Sequence, residues 1–243
     1  MVAADSTEIP MNARLRMLGL SAVLAMAFGS VFAEVKPALV VQVVSTEDTP
    51  AYVAMITKAN AMIKAKTGLE KLRHVWIGDQ AGDAANGIFV VSQFPSAAAA
   101  AQMQEKFADD PEIKAFLAEL KNMRHLGPCY LYKAIRLEGV YEGGGVFVTN
   151  IACTDEDGYA KALDGLKAVF DANGFKDARV NLWRMTAGRS TWTHIVVISF
   201  PSQTRVAELL DAIGDQGLLK EWNVGAAKLR TTVTNGTYHE ITK

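Results

Sequence analysis

The chain of 243 residues has only two cysteines, Cys129 and Cys153, and no Cys-x-x-Cys pair. That excludes a small disulfide-framework fold and a zinc site built from clustered thiolates. The histidines His74, His125, His194 and His239 are too scattered for metal-ligand spacing, so no metal is expected. An excess of either charge is also missing. The formal net charge is −1, from 25 Lys and Arg against 26 Asp and Glu, with no basic block and no acidic tail. Steering toward nucleic acid or an anionic membrane surface is therefore not encoded, and no nucleic-acid partner is expected. Gly-x-Gly-x-x-Gly, a Walker loop, Gly-x-Ser-x-Gly and His-Glu-x-x-His are all absent. No cofactor is expected on these grounds.

What remains is an ordinary globular composition, half apolar and about a fifth charged, with apolar residues spread evenly after residue 34. The N-terminal part differs. In "MNARLRMLGLSAVLAMAFGSVFA", residues 11–33, Arg14 and Arg16 precede a short apolar run, and small residues stand at Val31 and Ala33. This is the three-part pattern of a secretory signal peptide, cut after Ala33, with Met11 as the natural start. An uncleaved anchor helix is the alternative. The run is short for a bilayer span and no second one follows, so no membrane segment is expected after cleavage. The expectation is a periplasmic or secreted protein, either monomer or homo-oligomer. In an oxidising compartment Cys129 and Cys153 are open to bridging or to remaining buried thiols.

The rest of the chain repeats. Shifted by 106 places, Gly68 meets Gly174, Arg73 meets Arg179, Phe94-Pro95-Ser96 meets Phe200-Pro201-Ser202, Arg124 meets Arg230 and Tyr132 meets Tyr238. A long period present twice predicts two fused units, not a solenoid. Each unit reads βαββαβ. In the first, "ALVVQVVS" is a strand, Thr49-Pro50 is the expected N-cap and first position of a helix, and Gly68 is its stop. Phe-Pro-Ser ends the third strand and caps the next helix, because proline cannot continue a ladder and serine can cap. The expected division is residues 34–137, a glycine-rich flexible link over 138–145 ("EGVYEGGG"), and residues 146–243.

This order, with its Phe-Pro-Ser turn and the helical stretch "AAAAAQMQEKFADDPEIKAFLAEL", resembles the dimeric α/β-barrel superfamily, in particular the antibiotic-biosynthesis-monooxygenase-like units. The resemblance covers both halves. It implies an α+β fold of two tandem ferredoxin-like units closing one barrel within the chain. It implies little about activity, since the superfamily spans monooxygenases, haem enzymes, isomerases and proteins without known activity. Haem-degrading members resemble one another in a first-strand asparagine, a tryptophan ending the third strand and a helical histidine. Here Asn150 fits the first, but Phe94 and Phe200 end the third strands, and Gln104 and Leu210 stand on the helices. Haem degradation is disfavoured.

The barrel lumen is the natural pocket of such a fold. Strand alternation turns Arg179, Asn181, Trp183 and Met185 to one face of the second unit and Val180 and Leu182 to the other. Asn150, Arg179, Asn181, Trp183 and His194 are the candidate ligand-binding residues, with His194 a conceivable general base. The alternative reading makes Arg179 an ion-pair partner, Trp183 packing and His194 a partly exposed strand end. Under the ungapped shift, Val44 matches Asn150, Val75 matches Asn181 and Ile77 matches Trp183. Binding of a small apolar or aromatic organic molecule in the second lumen is the leading expectation. A cofactor-independent monooxygenase-like enzyme and a structural module of the envelope are the alternatives.

Overall fold

Asp48 ends the first strand's exit loop and accepts a hydrogen bond from Ala51 N at 2.9 Å, so it caps the first helix. The cap was expected at Thr49. Asp48 takes the place because its carboxylate lies three residues before the N–H it accepts from, which leaves Thr49 and Pro50 in the first turn. The computed structural model describes residues 36–69, 72–82 and 87–242. The expected signal peptide over 1–33 lies outside the described residues.

The elements follow in chain order. They are β1 (Ala38–Ser45), α1 (Thr49–Thr67), β2 (Arg73–Gly78), β3 (Ile88–Phe94), α2 (Ala97–Ala108), α3 (Pro111–Lys121) and β4 (His125–Arg136). The second half has β5 (Gly145–Cys153), α4 (Glu156–Ala172), β6 (Arg179–Ala187), β7 (His194–Phe200), α5 (Gln203–Asp215), α6 (Lys220–Ala226) and β8 (Arg230–Glu240). Gly68 adopts φ 75 and closes α1 with a left-handed cap, as expected. Ser96 and Ser202, the serines of the repeated Phe-Pro-Ser, each cap the helix that follows.

The strands close a barrel in the order β1-β3-β2-β8-β5-β7-β6-β4. Each half is the four-stranded ferredoxin-like sheet 4-1-3-2, and the halves join at two antiparallel seams, β2 with β8 and β4 with β6. Outside the second sheet, Val180, Leu182, Val196 and Ile198 pack against Leu163, Leu166 and Leu209 of the helices. Inside the barrel, Leu39, Tyr132, Ala134, Trp183 and Ile195 form a cluster drawn from both halves. Closure removes sheet edges, which is how an all-antiparallel sheet avoids edge pairing.

The register refines the repeat. Asp48 and Asp155 both cap the first helix of their half, Ala38 pairs with Phe94 as Gly145 pairs with Phe200, and Val75 faces Val90 as Leu182 faces Val196. Over the first strand, first helix and second strand the halves therefore correspond one place beyond the ungapped shift. A β2–β3 loop one residue longer than its β6–β7 counterpart restores that shift afterwards. The counterpart of Asn150 is thus Val43, that of Asn181 is His74 and that of Trp183 is Trp76, in place of Val44, Val75 and Ile77. A slip of one residue in a strand exchanges its two faces, which is why the ungapped match misassigned these pairs.

The stretch joining the halves is hydrogen-bonded to the second half. Asn181 Oδ1 accepts from Glu138 N at 2.8 Å and Gly139 N at 3.0 Å, Ser199 Oγ accepts from Tyr141 N at 3.0 Å, and Glu240 Oε2 accepts from Gly143 N at 2.8 Å. Gly139 and Gly143 have φ of 91 and 66, so glycine serves the path of the chain there.

Candidate functional site

The five candidate residues do not converge. Trp183 lies in the barrel interior, 2% exposed, among Leu39, Tyr132 and Ile195. Tyr132 accepts from Trp192 Nε1 at 3.1 Å, and burial pushes its phenol pKa up to about 12. Asn181 is fully buried beneath the joining stretch and also donates to Gly139 O at 2.9 Å and Val197 O at 3.2 Å. Arg179 stacks on Tyr141, with its guanidinium carbon 3.7 Å from the ring centre. Asn150 donates to Thr234 Oγ1 at 2.8 Å from a half-buried position on β5. His194 is buried, not partly exposed, and faces outward with Val196 and Ile198. Its Nε2 lies 2.7 Å from Glu156 Oε2 and its Nδ1 2.8 Å from Thr193 Oγ1. The lumen of the second half is thus a packed interior. Cys129 and Cys153 are both free thiols, and burial raises the pKa of each.

Open volume lies elsewhere, between sheet and helices. In the second half a cavity of about 150 Å³ is lined by Phe147 and Thr149 of β5, Tyr159 and Leu166 of α4, Trp222 of α6 and Arg230 of β8, among others. Asp155 caps α4 through Gly158 N and sets Tyr159 in its first turn. Trp222 Nε1 donates to Ala162 O at 2.9 Å, which ties the short α6 to α4. Arg230 opens β8 between the two rings, 5.7 Å from the Tyr159 centre and 5.3 Å from the Trp222 centre. It donates to Tyr159 Oη at 3.1 Å, to Asn223 Oδ1 at 2.8 Å and to Thr232 Oγ1. Burial raises the Tyr159 pKa against the opposing pull of Arg230, so the phenol is neutral.

The arrangement offers apolar walls, two aromatic faces, one permanent cation and hydrogen-bonding groups at Asn223, Thr232 and Asn235. The lining holds no His, Asp, Glu, Cys or Lys to act as a general acid or base, so binding is the chemistry it supports most directly. The lining also contains no His, Cys or Met to serve as an axial ligand, and its one phenol is held neutral. The cleft therefore does not fit haem.

The sequence repeat matched Arg124 with Arg230, yet Arg230 was left outside the candidate site. The available signal was an arginine retained at the head of the last strand of both halves, each donating to a tyrosine in the first turn of the first helix. Arg124 Nη1 to Tyr52 Oη is 3.2 Å in the first half.

No family model matches the chain, and no curated protein matches it. Among solved structures it is similar to an anthrone oxidase-like protein, at 13% identity and a TM-score of 0.52, over 86% of this chain and 93% of that one. It is similar to a "putative monooxygenase" from Lactobacillus acidophilus NCFM, at 8% identity and a TM-score of 0.52, over 85% and 93% of the two chains. A "putative monooxygenase" from Fusobacterium nucleatum subsp. nucleatum shares 10% identity at a TM-score of 0.53, over 85% and 92%. At these identities the likeness concerns the fold. With the strand order, it shows a dimeric α/β-barrel formed within one chain.

Proposed function

We propose that this protein binds a small apolar or aromatic organic molecule, held against the second half of the barrel in the cleft between its sheet and its helices. The observation that carries this reading is the cavity of about 150 Å³ beside the Tyr159–Arg230–Trp222 stack. An apolar cavity of about that size accommodates a benzene-sized ring. The stack gives such a ring two aromatic neighbours, and the arginine and asparagine donors orient one polar substituent. The proposed seat is the cleft in preference to the lumen, because Trp183, Tyr132, Leu39 and Ile195 fill the interior.

Export belongs to the same proposal, supported by the arginine-led apolar stretch of residues 11–33 and the small residues before Glu34. Native mass spectrometry of the protein recovered from the periplasm of its own source tests both parts. The expected species begins at Glu34 and carries one small organic molecule. A species that retains residues 11–33, or one released without any bound molecule, contradicts the corresponding part.

A second reading, a cofactor-independent oxygenase acting in the same cleft, takes its support from the anthrone oxidase-like structural neighbour. Oxygen consumption with an anthrone as substrate separates it from binding alone.

A further inference from the structure

The first half has its own cleft between sheet and helices, and its polar content is unlike that of the second. Where Arg230 has Asn223, Thr232 and Trp222 around it, the matching positions beside Arg124 are Leu117, Leu126 and Phe116. Arg124 keeps the tyrosine bond to Tyr52, but its Nε is buried with no hydrogen-bond partner. Where the second half has Val180 on its second strand, the first has Arg73, facing outward with Val75 into the same cleft.

Arg73 is held in place by its backbone. Asn60 Oδ1 accepts from Arg73 N at 3.0 Å and Asn60 Nδ2 donates to Arg73 O at 2.7 Å. Among the described residues its guanidinium has no carboxylate partner, and neither has that of Arg124. Burial first, and then the charge of Arg124, push the Arg73 pKa down. Two half-buried guanidiniums without a carboxylate partner line one apolar cleft, and the Arg124 Nε within it is buried and unpaired, an arrangement that an anion joining them would stabilise.

We propose that this first-half cleft is a binding site for a small organic monocarboxylate, whose carboxylate bridges Arg73 and Arg124 and whose short apolar body lies against Phe107, Ile113 and Phe116. Guanidinium matches carboxylate geometry through paired N–H donors, and the two arginines supply several such donors to two oxygens. The cavity measures about 80 Å³ and its remaining walls, Ile56, Ala59, Ile63, Val90, Leu117 and Leu120, are all aliphatic. That space suits a body of a few carbon atoms. A phosphate would leave oxygens unpaired against those aliphatic walls. The site goes beyond the second-half proposal and lies in the other half of the barrel, so either fails without the other.

Isothermal titration of the full chain with isovalerate tests it. Saturable binding is expected, absent with the methyl ester of the same acid, weaker with inorganic phosphate, and weakened about tenfold or more by Arg73→Met. Equal affinity for acid and ester, tighter binding of phosphate, or an unchanged affinity in the folded Arg73→Met variant overturns the assignment. On the wild-type protein, isovalerate should also move the Nε–Hε resonance of Arg124, whatever the variant's folding. A resonance that stays in place through saturation contradicts the proposal.

Discussion

Trp222 lies over Arg230, its ring centre 5.3 Å from the guanidinium carbon, and it is the aromatic wall of the second-half cleft contributed by the short helix α6. Leu219 caps α6 without a side-chain hydrogen bond, so the helix is held by Trp222 packing, the Trp222–Ala162 bond and the Arg230–Asn223 bond. Trp222→Ala is expected to cost about 2–3 kcal/mol, below the roughly 3–5 kcal/mol of a fully buried Trp because this one is half-exposed. Urea denaturation reads that loss. The same variant should lose affinity for a benzene-sized ligand, read by calorimetry with toluene.

Asn181 acts at a different place, where the stretch joining the halves passes over the end of the second sheet. Its amide satisfies two backbone N–H groups and a carbonyl of that stretch, from a position with no solvent exposure. Asn181→Ala leaves those groups without partners and is expected to destabilise the protein by about 2–4 kcal/mol. The check is a urea midpoint, together with limited proteolysis, which should cut newly within residues 138–145. Ligand affinity in the cleft should be unchanged in the folded variant.

The alkaline side of the stability curve follows from Tyr132. Its folded pKa is raised to about 12 from the ordinary value of 10.0, so the folded state keeps the phenol proton over a range in which the unfolded chain releases it. The contribution is therefore fully present below pH 10 and is lost as pH rises toward 12. The loss over that window is about 2–3 kcal/mol from this group, since each pKa unit corresponds to about 1.4 kcal/mol. Denaturant midpoints measured from pH 9 to pH 12 should fall steadily. Tyr132→Phe should flatten that fall, while losing some stability at neutral pH because Trp192 Nε1 then lacks its acceptor.

The fold was legible in the sequence because it is written twice. Phe-Pro-Ser at 94–96 and 200–202, Thr49-Pro50 and Gly68 each state one local rule, and all agree on βαββαβ. The site was much less legible, for two physical reasons. Alternation in β6 separated Trp183 from Val180 correctly, but it is silent on whether the inner face encloses space or side chains. Trp183, Tyr132 and Leu39 fill it from strands far apart in the chain. The ungapped shift also misaligned β2 with β6 by one place and so hid that Trp183 matches another tryptophan, Trp76, and is a shared packing position. Arg73 then aligned with Arg179 when its true counterpart is Val180. The second arginine of the first-half cleft was concealed by that slip.

The location of the ligand is tested most directly by tryptophan-resolved fluorine NMR. The chain has 4 tryptophans, among them Trp183 in the barrel interior and Trp222 at the cleft. In full-length protein labelled with 5-fluorotryptophan, toluene titration should shift the Trp222 resonance saturably and leave that of Trp183 in place. A saturable shift of Trp183 in place of Trp222, or no shift of either, would contradict a binding cleft between the second sheet and its helices.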